Sequence, residues 1–188
     1  MSESIRVAVI LGSKRPGRFC DTVARWAVER IAASGRFQIE VIDPAQPSQV
    51  TDGHASRSLA ERLHSSDAFV IVTPEYNHGY PAPLKELIDS VGPEWHAKPV
   101  AFVSYGGVSG GLRAVEQLRQ VFAELHAVTI RDSVSFPSAW EQFDETGTLR
   151  SPERASRSMS TVLQRLHWWA IALRNARSAV PYTQSTLE

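Results

Sequence analysis

The chain has 188 residues, enough for one domain with a full hydrophobic core and no disulfide support. Lysine plus arginine and aspartate plus glutamate number 20 each, so no net field draws it to nucleic acid or to an anionic membrane. A single cysteine, Cys20, excludes an internal disulfide and a cysteine-based metal cluster, and no metal site is expected. Residues 1–4 lack the basic start of a signal peptide, and no apolar run approaches the roughly 20 residues of a membrane span. A cytoplasmic protein is the expectation.

Residues 5–11 are apolar without alternation after Arg6, the pattern of a strand buried on both faces. A loop, Gly12-Ser13-Lys14-Arg15-Pro16-Gly17-Arg18, follows. From about Asp21 a helical stripe carries Val23, Trp26, Ala27 and Ile31 until Gly35 stops it. Residues 37–42 form a second strand, and 45–54, rich in Gln, Pro, Ser, Asp and Gly, read as an exposed loop. The pattern then predicts a short helix over 58–64, strands over 68–73, 100–104 and 128–136, and helices over 83–91 and 112–126. Strands alternating with helices imply βαβ crossovers and a parallel sheet covered on both faces.

Five strands in this length suggest an α/β, flavodoxin-like, doubly wound sheet of order 2-1-3-4-5. One domain is expected over residues 1–180, with a polar, disordered tail over 181–188. Residues 137–152, with Trp140, Phe143 and Gly147, are irregular and read as a flap or an interface segment. Ser151-Pro152-Glu153 then predicts a capped helix start, followed by Met159, Val162, Leu163, Leu166, Trp169 and Leu173 at helical spacing. Trp168, Ile171 and Ala172 widen that arc, more than sheet packing alone requires, and allow a dimer interface.

Three loops carry the chemistry. In the proposed order the winding reverses between the first and third strands, so the loops from Gly12 and from Pro74 flank the crevice where such sheets bind ligands. The first precedes a helix N-terminus, whose orphan amides suit a phosphate, with Ser13 as a hydroxyl donor and Arg15 and Arg18 as cations. It is neither a Walker A loop nor Gly-x-Gly-x-x-Gly, which disfavours triphosphate hydrolysis and the usual dinucleotide fingerprint. A solvated basic loop is the competing reading. The second loop, 74–81, holds two prolines and a glycine and is stiff. The third, Ser104-Tyr105-Gly106-Gly107-Val108-Ser109-Gly110-Gly111, has four glycines in its last six residues, which lets the backbone approach a flat ring. A phosphate grip beside two ring-facing loops fits flavin mononucleotide.

The motifs Leu11-Gly12-Ser13-Lys14-Arg15, Pro74-Glu75-Tyr76-Asn77-His78-Gly79-Tyr80-Pro81 and Ser104-Tyr105-Gly106-Gly107 resemble the NADPH-dependent FMN reductase family over residues 5–130. The resemblance implies bound FMN, NADPH or NADH as reductant, a small-molecule electron acceptor (quinone, azo compound, free flavin or metal oxyanion), a ping-pong cycle, and a homodimer or homotetramer. It also implies that Ser13, Arg15 and the helix start over Arg18, Phe19 and Cys20 hold the phosphate. Pro74, Glu75, Tyr76 and Asn77 would line the isoalloxazine edge, and Ser104, Tyr105, Gly106 and Gly107 its pyrimidine side. His78 and Tyr105 are candidates for lining the reacting face, and Trp95 with His96 for meeting a partner subunit there. Asp21 should cap the first helix or pair with Arg18. A flavodoxin-like electron shuttle, or a cofactor-free scaffold of the same fold, is the alternative.

Overall fold

The computed structural model describes residues 4–46 and 57–182. Five parallel strands stand in the order β2-β1-β3-β4-β5: β1 Ile5–Leu11, β2 Phe37–Ile42, β3 Ala68–Pro74, β4 Pro99–Gly106 and β5 Val128–Pro137. This is the flavodoxin-like order, with the winding reversed between β1 and β3. Every residue of β3 and β4 is buried, which is why neither shows polar alternation.

Successive side chains leave a strand on opposite faces, and the core divides accordingly. Val7, Val9, Val70 and Val72 pack under α1 (Cys20–Ala33) and the long C-terminal helix, Pro152–Ala179. Ala8, Ile10, Phe69 and Ile71 pack under α2 (Leu59–His64), α3 (Ala82–Asp89) and α4 (Leu112–Glu124). The stripe Val23, Trp26, Ala27 and Ile31 is buried as its spacing predicts. Ser58 proves to be the N-cap of α2, accepting from the Glu61 amide while the Glu61 carboxylate accepts from the Ser58 amide.

The 137–152 segment is not structureless. It holds a one-turn helix, α5 (Ala139–Gln142), and a bridge between Phe143 and Leu149, so the C-terminal helix is α6. Ser151 makes no side-chain cap there, contrary to the expectation, and Pro152 at the helix start does without one. Residues 47–56, which take in most of the expected loop, and 183–188, most of the expected tail, lie outside the described residues.

The expectation for Trp95 and His96 is overturned. They precede β4 and therefore sit at the amino edge of the sheet, opposite the loops that follow β1 and β3. Trp95 is fully buried, packs edge-on against Phe69 and Phe122, and donates its indole N–H to the Ile88 carbonyl at 3.1 Å. A large indole with its one donor satisfied is more stable inside than at a rim. His96 packs on His126 and Tyr182, whose hydroxyl lies 2.9 Å from His126 Nδ1, so the tail's first residues are held here. Beside them the buried Lys98 ammonium donates to the carbonyls of Leu63 and His64, the open end of α2, and burial lowers its pKa to about 8.

Candidate functional site

Four loops open from the carboxyl edge of the sheet. Their roots are aligned by register, with Pro74 beside Tyr105 and Tyr105 beside Phe136. The Gly12 amide donates to the Val72 carbonyl at 2.7 Å. A Cβ on Gly12 would come within 3.0 Å of that oxygen, so the first loop leaves β1 pressed against the end of β3.

Ser13 is fully buried, and its Oγ lies 2.9 Å from the Tyr76 hydroxyl. The Arg15 guanidinium covers the Tyr76 ring at 3.7 Å. The first and second loops therefore meet through residues 63 positions apart. The first turn of α1 has no side-chain cap, and its Ncap residue is Phe19. Orphan amides there suit an anion.

Arg18 is placed at this corner, but its charge is already committed. It pairs with both oxygens of Asp43, at 2.8 and 2.5 Å, with Asp21 at 2.8 Å, and it donates to the Ser13 carbonyl. Asp21 thus pairs with Arg18 rather than capping α1. Burial pushes the Asp43 carboxyl up, but the Arg18 hydrogen bonds outweigh it and hold the group below the usual range. Sequence reasoning missed Asp43. The available signal was its position, at the carboxyl end of β2 and hence on the same edge.

In the second loop Tyr76 and Gly79 exchange both backbone hydrogen bonds, which closes a two-residue turn. Its central residues, Asn77 and His78, have φ of 50° and 70°, the primed-turn conformation that Asn tolerates well. Both are exposed, and their amides make no hydrogen bond among the described residues. Gln117 of α4 steadies the turn by donating to the His78 carbonyl at 3.0 Å. Glu75 points the other way. Burial raises its carboxyl, but donors from Ser109 Oγ (2.7 Å) and from the Arg113 amide and guanidinium (3.1 and 2.6 Å) bring it below the ordinary value. It is an anchor for the third loop.

The third loop is held from beneath. Ser104, fully buried, donates its hydroxyl to the Gly110 carbonyl. Gly111 takes φ +86° with its α-carbon turned onto Ser104 and Tyr105. Gly106 is buried, whereas Gly107 and Val108 are exposed. Tyr105 is corrected: it lines no reacting face. Its side chain is 6% exposed, in the core beneath α1 beside Phe19, and burial pushes its phenol far up. The hydroxyl lies beside the Cys20 thiol, which donates to the Val72 carbonyl, and makes no hydrogen bond of normal geometry among the described residues. Cys20 is fully buried and its thiol is raised chiefly by that burial, which keeps it protonated beneath the first loop. Phe19 packs between Tyr105 and Phe143, which ties the first loop to the fourth.

This edge can grip a compact anion at α1 and lay a flat ring against the exposed backbone of the second and third loops. Residues 5–141 match the family model described as NADPH-dependent FMN reductase. The chain belongs to the NADPH-dependent FMN reductase family. Family membership makes it an oxidoreductase that works with FMN and NAD(P)H. It is 32% identical over 148 residues to an NAD(P)H-dependent FMN reductase of Schizosaccharomyces pombe, covering 70% of this chain and 74% of that one. With the quinone reductase of Escherichia coli K12 it shares 33% over 144 residues, 69% of this chain and 76% of that one. Among solved structures, the FerB NAD(P)H:(acceptor) oxidoreductase of Paracoccus denitrificans overlays with a TM-score of 0.69 at 22% identity, covering 89% of this chain and 98% of that one. That last likeness speaks for the fold.

The residues fit the family's cofactor. The uncapped start of α1 and the buried Ser13 hydroxyl suit the phosphate of FMN, and the free amides of Asn77 and His78 suit the acceptor atoms at a flavin edge.

Proposed function

We propose that this protein is an FMN-dependent NAD(P)H oxidoreductase that reduces a small acceptor (a quinone, azo compound, free flavin or metal oxyanion) by a ping-pong mechanism. The single observation that carries the reading is the 2.9 Å approach of Ser13 Oγ and Tyr76 Oη, which joins the phosphate loop to the ring loop at the reversal point of the sheet. The quinone-reductase name of the Escherichia coli relative supports the acceptor class.

FMN, when bound, would supply hydride acceptance from NAD(P)H and electron delivery to the acceptor, so that the two substrates alternate. The chain's own groups bind and orient. Ser13, Arg15 and the first-turn amides of α1 hold the phosphate, while Arg18, neutralised by Asp43, shapes the loop. Pro74, Tyr76 and Asn77 form one ring edge and Gly106 with Gly107 the other, with Glu75 and Ser104 bracing from behind. The amides of Asn77 and His78 favour negative charge at that edge, an oxyanion-hole effect. In this reading His78, exposed in the turn, is the candidate proton donor to the acceptor. We include in the proposal a cytoplasmic homodimer or homotetramer. No helix among the described residues is long and apolar enough to cross a membrane.

Anaerobic titration tests the reading. Purified protein should take up one FMN, lose its yellow absorbance on addition of NADPH or NADH alone, and regain it with a quinone. Protein that binds no FMN overturns the assignment. Reduction that requires a second protein favours the electron-shuttle alternative.

A further inference from the structure

Trp140 has no part in the core, the phosphate grip or the ring edges, yet it stands on the same rim. Six large apolar residues are exposed among the described residues, and three of them lie at this edge: Val108 in the third loop, Leu112 at the start of α4 and Trp140 in the fourth loop. Trp140 is 59% exposed and Val108 94%. An exposed indole is a larger liability than an exposed valine, because it leaves more apolar surface in water.

Its exposure is built in. The Ser138 amide donates to the Gly107 carbonyl at 2.9 Å, and Ser138 adopts a left-handed φ of 43° that turns the chain back over the third loop. Ala139 and Phe143, on either side, are buried, and Phe143 wedges between Phe19 and Phe136. The Arg150 amide closes the segment on the Gln142 carbonyl at 2.8 Å, and Arg25 ties Thr146 to α1. Between the buried Ala139 and Phe143, Trp140 and Glu141 are the exposed residues. The indole Cη2 lies 3.9 Å from where a Cβ on Gly107 would be, so the ring stands directly against the exposed glycine of the third loop. Glu75, the acidic group of the second loop, is turned away from this flank and paired with Arg113.

We propose that Trp140, backed by Val108 and Leu112, is the stacking wall of the acceptor pocket and selects flat aromatic acceptors over compact hydrophilic ones. The inference rests on the flavin-dependent function argued above. Aromatic stacking of this kind changes affinity by about threefold to tenfold.

The test uses FMN-loaded wild type, Trp140→Ala, Trp140→Phe and, as a control on a second exposed indole, Trp168→Ala. Equilibrium binding of 1,4-naphthoquinone to the oxidised proteins is followed by the flavin absorbance. Steady-state rates are measured with naphthoquinone and with ferricyanide. In Trp140→Ala both the dissociation constant and the KM for naphthoquinone should rise about threefold to tenfold, with ferricyanide rates, FMN content and molecular mass unchanged. Trp140→Phe should recover most of the loss, and Trp168→Ala should show none. Unmoved quinone binding, a parallel loss with both acceptors, an effect confined to the KM for NADPH, or a change of mass each overturns the proposal. Wild type that is yellow and reduces naphthoquinone while Trp140→Ala behaves identically overturns this proposal alone; wild type that takes up no FMN overturns the functional reading with it.

Discussion

The Arg15 guanidinium rests on the Tyr76 ring at 3.7 Å and is exposed, with no ion pair among the described residues. Arg18, three residues on, is 9% exposed in its side chain and shared between Asp43 and Asp21. Of the two cations the sequence offers for a phosphate, Arg15 is therefore the one whose charge is uncompensated. Hydrogen bonds to charged groups contribute about 1.5–3 kcal/mol, so Arg15→Ala should weaken FMN binding by roughly tenfold to a hundredfold, measured by fluorescence titration of the apoprotein. An unchanged dissociation constant removes Arg15 from the phosphate site. The same contrast shows what residue-scale reading reaches. Both arginines are legible as basic loop residues, but the pairing of Arg18 is set by Asp43, 25 positions on, and no local pattern specifies it.

Loops at the rim are positioned by the strands and helices beneath them. The third loop turns from β4 into α4 on Gly110 and Gly111, both at positive φ. A Cβ on Gly111 would lie 2.7 Å from Ser104 Cβ and 2.9 Å from the Tyr105 backbone nitrogen and oxygen, so neither partner can yield without moving β4. Gly111→Ala should cost several kcal/mol through clash plus left-handed strain, and a lowered melting temperature or insoluble expression is the expected outcome. Gly107→Ala, whose new Cβ meets only the Trp140 ring at 3.9 Å, should fold with wild-type stability. Equal behaviour of the two would show that the loop is not braced as described. The glycine run itself was legible as a close-approach loop. Which glycines are structural and which face the ligand depends on how the loop lies over Ser104.

For the whole molecule, two carboxylates fasten these loops to the fold, Asp43 through Arg18 and Glu75 through Arg113 and Ser109. Both have folded-state pKa values held below their ordinary ones. Their contribution is thus complete above the normal carboxylate range and is withdrawn as pH falls through the depressed values. The urea midpoint should drop as pH is lowered from about 5 to about 3, and Asp43→Asn, less stable at neutral pH, should show a shallower drop. Parallel curves for variant and wild type would deny Asp43 that role. The strand and helix succession, the order 2-1-3-4-5 and the two loops at the reversal were determined by the sequence alone. Apolar runs, turn residues and the handedness of crossovers are local or topological properties that one chain displays in full. What only the tertiary structure decided is which aromatic lies at which end. Trp95 and Trp140 both follow a proline in irregular segments, yet one enters a strand at the buried amino edge and the other leaves a strand at the open carboxyl edge. Burial, ion pairing and access are set by neighbours distant in the chain, and these exist only once the sheet has brought them together.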